Sequence, residues 1–185
     1  LMAIKMAKWY ELGDTDVIGV LTEALNGVER WDAKILQGRM AEYAHLPTPV
    51  DGLIMALGWT GDSRALSPVL HKLEMLAPSV TLSHHRAVAL ALERIGDKRA
   101  AEPLARLLGQ PGMQGHVMTE WEPLHNRPVQ RRRRIGPLRE ITLARALYRC
   151  GDHEGLGETI LREYRVDIRG LFARHAEAVL EEDEE

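Results

Sequence analysis

The sequence predicts an all-α protein built from tandem helix pairs, and three observations carry that expectation. Gly-Asp pairs recur at Gly13-Asp14, Gly61-Asp62, Gly96-Asp97 and Gly151-Asp152, each between stretches of helical character. Three of them close similar heptads, "ALGWTGD", "ALERIGD" and "ALYRCGD". The segments after the middle two agree as well, and their glycines stand 35 residues apart, the size of a helical hairpin repeat.

Each element follows from local chemistry. Ala56, Ala91 and Ala146 stand five residues before the glycine and Leu57, Leu92 and Leu147 four before it, which places a small and a large apolar side chain at the end of each first helix. Glycine then accepts the left-handed conformation that closes a helix, and aspartate caps the amides that open the next. The second helices, "GDSRALSPVLHKL" and "GDKRAAEPLARLL", share Arg64 with Arg99, Ala65 with Ala100, Pro68 with Pro103 and Leu73 with Leu108. Proline costs little in a first turn, whose amides lack intrahelical acceptors, so Pro68 and Pro103 mark early helical positions. Apolar residues then recur at three and four, as an amphipathic helix requires.

Two intervals exceed the period. The 48 residues from Gly13 to Gly61 leave room for an added helix, "VERWDAKILQGRMAEYA", before Pro47 and Pro49. The 55 residues from Gly96 to Gly151 contain an inserted loop at about 110–137, in which "HVMTEWEPL" has the makings of a short helix. The loop ends in "RRRR", Arg131 to Arg134, placed just before a helix "LREITLARALYRC". Long loops in compact repeats are uncommon unless they act. The whole, 1–185, reads as one repeat domain with an acidic tail at 181–185.

Composition bounds the function. With 45% hydrophobic and 28% charged residues among 185, the chain has the make-up of an ordinary folded protein. A net charge of -3 gives no global reason to expect nucleic acid or an anionic membrane as partner. No apolar run is long enough to span a bilayer and no signal peptide opens the chain. One cysteine, Cys150, excludes a disulfide framework and a cysteine-based zinc site; it leaves the compartment open, the cytoplasm being slightly favoured. The first residue is Leu1 rather than methionine, which suggests a fragment or a processed product.

The stretch "RAVALALERIGDKRAAEPLARLL", Arg86 to Leu108, resembles the HEAT-like repeat of the phycobilin-lyase type. The resemblance covers roughly Val50 to Gly109 and Leu138 to Tyr164, and implies an α-solenoid, an α-α superhelix of three to four helix pairs. It says little about function, since such repeats serve many roles. The closing segment, Leu138 to Leu180, also resembles the helical region that follows the flavin domain of some bacterial FAD-dependent oxidoreductases. That resemblance implies a non-catalytic accessory module whose partner is a protein or an upstream domain. Rival readings are a DNA-binding enzyme of the alkylpurine DNA glycosylase kind, which needs a basic concave face, and a bilin lyase or chaperone role.

No catalytic, cofactor or metal site is expected in this chain. His84 and His85 are adjacent on one helix, poor geometry for one metal, and read as partly exposed surface residues. His116 and Glu120 are four apart without a third ligand, and Cys150 falls at a packing position. "GLGETI", Gly155 to Ile160, lacks the third glycine and the preceding strand of a dinucleotide site. Trp9, Trp31, Trp59 and Trp121 read as core or inter-repeat anchors, with Trp121 also a contact candidate. For the arginines three readings stay open: pairing with acids such as Glu120, Glu122, Glu140 and the tail, docking of a protein, or binding of phosphate, with nucleic acid ranked last. The candidate interaction surface comprises Trp121, His125, Arg127, Arg131, Arg132, Arg133 and Arg134, an aromatic and guanidinium cluster of the composition interfaces favour.

Overall fold

A computed structural model describes residues 16–28, 31, 47–120 and 131–181. Every regular element among them is helical: α1 Val17–Asn26, α2 Pro49–Trp59, α3 Leu66–Glu74, α4 Leu82–Ile95, α5 Ala101–Leu108, α6 Arg131–Arg149, α7 Leu156–Tyr164 and α8 Leu171–Glu181. The all-α helical-repeat expectation holds. Two compact units result, Leu1–Asp97 and Lys98–Glu185.

In the first unit, α1 starts on Asp16, whose carboxylate accepts the Gly19 amide. A capping box opens α2: Thr48 Oγ1 accepts the Asp51 amide, Asp51 Oδ2 accepts the Thr48 amide, and Pro49 fills the first helical position. Asp62 caps a short 3-10 turn, Ser63–Ala65, that leads into α3 with Pro68 in its first turn. Gly96 ends α4 at φ +64°, left-handed as expected, with its N–H on the Leu92 carbonyl. The backbones of α2 and α4 come so close that a Cβ on Gly58 would lie 2.4 Å from the Ala91 Cα. Leu57 and Leu92 are fully buried, as the aligned Ala-Leu pairs require, beside Ile54, Val69 and Val88.

In the second unit, α6 packs against α5, α7 and α8, and α7 against α8. Ala146 and Leu147 occupy the same buried repeat position as their counterparts. Asp152 again caps the following helix, taking the amides of His153, Gly157 and Glu158. The start of α6 departs from expectation. The helix begins at Arg131, seven residues before Leu138, and carries Pro137 inside it. Proline removes one i to i-4 bond and crowds the residue before it, but that residue is Gly136, which has no Cβ to clash. The four arginines therefore form the first turn of a helix rather than the end of a loop. The expected helix over "HVMTEWEPL" is absent from its described part, since 115–119 is neither helical nor turned. The Gly13-Asp14 pair, most of the "VERWDAKILQGRMAEYA" segment and 182–185 lie outside the described residues.

Candidate functional site

Of the candidate interaction residues, Trp121, His125 and Arg127 lie outside the described residues. Arg131 to Arg134 open α6, where Arg134 is exposed and Ile135 is 41% exposed. The second unit holds the first half of its insertion with a set of polar side chains, of which Arg139, Glu140 and Asp167 are buried. Arg139 donates to the Gly112 carbonyl at 2.9 Å. Glu140, fully buried, accepts the Gly115 amide at 2.8 Å on Oε1 and the His116 amide at 3.0 Å on Oε2. Tyr164, fully buried on α7, donates its hydroxyl to the same Oε2 at 2.7 Å.

The turn between α7 and α8 completes the clamp. Asp167 accepts the Met118 amide at 3.0 Å, and the Ile168 amide donates to the Met118 carbonyl at 2.9 Å. Arg169 donates to the His116 carbonyl at 2.7 Å and is ion-paired with Asp167. The guanidinium of Arg169 also lies 4.4 Å from the Phe172 ring centre. Met113, fully buried, supplies the apolar anchor.

The electrostatics follow from this geometry. Burial drives the Tyr164 hydroxyl far above its ordinary value, and the Glu140 carboxylate adds to the rise. Burial alone would raise Asp167, but the Arg169 hydrogen bond and the Met118 amide outweigh it and hold the carboxyl below its usual range. Burial lowers Arg139, against the pull of Glu140. Buried charges of this kind persist only when their hydrogen bonds are filled. Here the partners are backbone groups of the insertion together with the Tyr164 hydroxyl and the Arg169 guanidinium.

The first unit has a second network, and it corrects the histidine reading. His84 and His85 are 1% and 0% exposed, on the inner face of α4. Nδ1 of His84 stands 2.7 Å from Asp51 Oδ1, which also accepts the indole N–H of Trp31 at 2.9 Å. The Trp31 ring stacks on His84 with centroids 4.6 Å apart. Nearby, buried Lys72 donates to the Val28 carbonyl at 3.1 Å, and burial lowers its pKa. Burial would raise the Asp51 carboxyl, yet the bonds from His84, Thr48 and Trp31 bring it below its ordinary value.

Other sequence expectations resolve simply. Trp31 is a core anchor, whereas Trp59 is 47% exposed and carries the Arg94 guanidinium 3.4 Å above its ring. Cys150 is buried packing. His116 and Glu120 share no helix, and no cluster of metal-ligating side chains occurs among the described residues. Glu140, expected as a partner for the arginine run, instead gives both oxygens to the insertion and Tyr164. Sequence reasoning missed Asp51, Tyr164, Asp167 and Arg169. The Thr48-Pro-Val-Asp51 spacing of a capping box was the visible signal for the first.

The PBS lyase HEAT-like repeat family model matches residues 85–110, the stretch from α4 through Gly96 to α5. No curated protein and no solved structure matches the chain. The chain therefore carries a HEAT-like repeat, in agreement with its helix-pair architecture. No helix among the described residues is long and apolar enough to cross a membrane.

Proposed function

We propose that this chain is a non-catalytic helical-repeat interaction module that docks a protein or domain through its inserted stretch, of which 110–120 are described, and the arginine-rich start of α6. One observation carries the reading: the backbone of the insertion from Gly112 to Met118 is fixed by Arg139, Glu140, Asp167 and Arg169, four charged side chains of the repeat helices and their turn. A connection that merely spans two helices needs no such investment of buried charge, whereas a contact surface gains from being rigid before its partner arrives. The run Arg131 to Arg134 adds a guanidinium cluster of the kind interfaces favour. The resemblance of Leu138 to Leu180 to the region behind a flavin domain supplies the partner, an upstream flavin-binding domain of a larger oxidoreductase, with no flavin, nicotinamide or zinc bound by this chain itself.

The test is association with that flavin domain supplied as a separate polypeptide. Arg132→Glu with Arg133→Glu should leave helical circular dichroism unchanged and weaken association about tenfold or more at low salt, the difference shrinking as salt rises. Unchanged association, or stoichiometric flavin or zinc retained by the purified chain after desalting, overturns the proposal. Tight, salt-dependent binding of duplex DNA would transfer the arginines to the nucleic-acid reading.

A further inference from the structure

Helices α2 and α4 run side by side and parallel, because their contacts keep nearly one offset along their length: Asp51 meets His84, Gly58 meets Ala91 and Trp59 meets Arg94. Equivalent repeat positions are therefore neighbours. On α4, His84, Val88, Ala91 and Leu92 are buried. Arg86, Leu90 and Arg94, four residues apart, lie on the opposite stripe, where both arginines are exposed and Leu90 is half-buried. On α2 the outward positions are Gly52, Met55 and Trp59, with Met55 half-buried and Trp59 exposed. A Cβ on Gly52 would find open space. The Trp59–Arg94 contact joins the two stripes into one surface, apolar at Met55, Trp59 and Leu90 and cationic at Arg86 and Arg94.

Neither arginine has an acid. Arg86 makes no hydrogen bond or ion pair with any described residue, and Arg94 among the described residues is held by the Trp59 ring alone, its guanidinium carbon 3.4 Å from the ring centre. Glu93, the one acidic residue of α4, stands about 10 Å along the axis from Arg86 and bonds to neither arginine. Stacking fixes a guanidinium plane and leaves its in-plane N–H donors for a planar anion such as a carboxylate. Eight residues separate the two charges, about 12 Å along the helix. One phosphate group cannot span that distance, and a nucleic-acid backbone would leave the apolar strip uncovered. Two carboxylates seven or eight residues apart on a helix match it, and the apolar side chains between them cover Leu90, Met55 and Trp59. Tryptophan and arginine are also the side chains that concentrate binding energy at interfaces.

We infer that the outer face of α2 and α4 docks an acidic amphipathic helix of a partner protein, with carboxylates on Arg86 and Arg94 and apolar side chains on Met55, Trp59 and Leu90. The surface lies wholly in the first unit and uses no residue of the insertion, so it stands independently of the flavin-domain reading.

The probe is a helical peptide, acetyl-Ala-Glu-Ala-Ala-Leu-Leu-Gln-Ala-Glu-Ala-Gln-Leu-Ala-Gln-amide, titrated into the whole chain and followed through the Trp59 indole N–H resonance, which Trp59→Phe identifies. The resonance should shift saturably. Arg86→Glu with Arg94→Glu should leave circular dichroism unchanged and weaken binding about tenfold or more, with a smaller difference at high salt. A second peptide with lysine in place of both glutamates should bind the unaltered chain weakly and the double variant better, a reciprocal exchange that loss of folding does not mimic. No shift with millimolar acidic peptide overturns the docking face. Equal affinity of the unaltered chain for the two peptides overturns the acidic occupant, a result readable even if the double variant fails to fold. Concentration-dependent self-association lost in the double variant would replace the partner with a second copy, and duplex DNA that shifts the same resonance more tightly than the peptide would replace it with nucleic acid.

Discussion

The two units fasten their departures from the repeat in opposite ways. In the first, Trp31 of the inserted stretch is drawn into the core, where Asp51 takes its indole N–H and His84 stacks on its ring. In the second, Glu140, Asp167 and Arg169 reach out to the insertion and bond its backbone. The first arrangement depends on one particular side chain in the inserted stretch and buries it. The second acts mainly on main-chain groups, with Met113 as the buried side-chain anchor, so it fixes the conformation of the segment through its backbone. Fastening through side chains suits an insertion that completes the core, and fastening through backbone suits one that presents a surface.

The largest effect should come from removing the carboxylate at either centre. Glu140→Ala leaves three donors, the buried Tyr164 hydroxyl among them, without an acceptor and should cost about 3–5 kcal/mol, as Asp51→Ala should by the same logic. Urea titration gives both values. The comparison sharpens in where the damage spreads: Glu140→Ala should lose amide protection at Gly115 and His116, whereas Asp51→Ala should shift Trp31 fluorescence and leave 112–118 untouched.

Smaller changes test single bonds. Tyr164→Phe deletes the hydroxyl bonded to Glu140 and Trp31→Phe deletes the N–H bonded to Asp51, each for about 1–2 kcal/mol. Equal costs with unequal consequences for the 112–118 segment would support the contrast. A loss of that segment's order in Trp31→Phe would erase it.

The fold was largely legible because its signal is local. The Ala-Leu pairs four and five residues before each Gly-Asp are separated from their caps by a single helical turn, and Leu57, Leu92 and Leu147 are all buried. The clamps were not, although part of their signal was present. Glu140 lies in register with Ala144 and Leu147, and His84 with Val88 and Ala91, at the i, i+4, i+7 spacing of a buried stripe. Spacing can place a polar residue inside, but its partner is a matter of tertiary structure: Met118 meets Asp167 across 49 residues and Asp51 meets His84 across 33. The arginine run was misplaced for a local reason, the Gly136-Pro137 pair, which reads as a helix boundary until the glycine is seen to relieve the proline.

The pH response is a subtler probe of the same pair of centres. Asp51 and Asp167 have folded pKa values below their ordinary 3.8, so each contributes stability that is present above that value and is lost as pH falls through the lower folded value. Acid titration of Asp51→Asn and Asp167→Asn should each remove part of this dependence. Tyr164 has the opposite sign at the alkaline end. Its folded pKa is raised, so above about pH 10 the unfolded chain ionises first and stability falls, an effect that Tyr164→Phe should abolish.

The central claim is that the repeat holds the insertion by its backbone groups, and amide hydrogen exchange resolved by residue tests it most directly. The account predicts slow exchange at Gly115, His116 and Met118, fast exchange at Val117 and Thr119, and loss of the slow pair Gly115 and His116 in Glu140→Ala. Uniformly fast exchange from 112 to 119, or a protection pattern that survives Glu140→Ala unchanged, would contradict it.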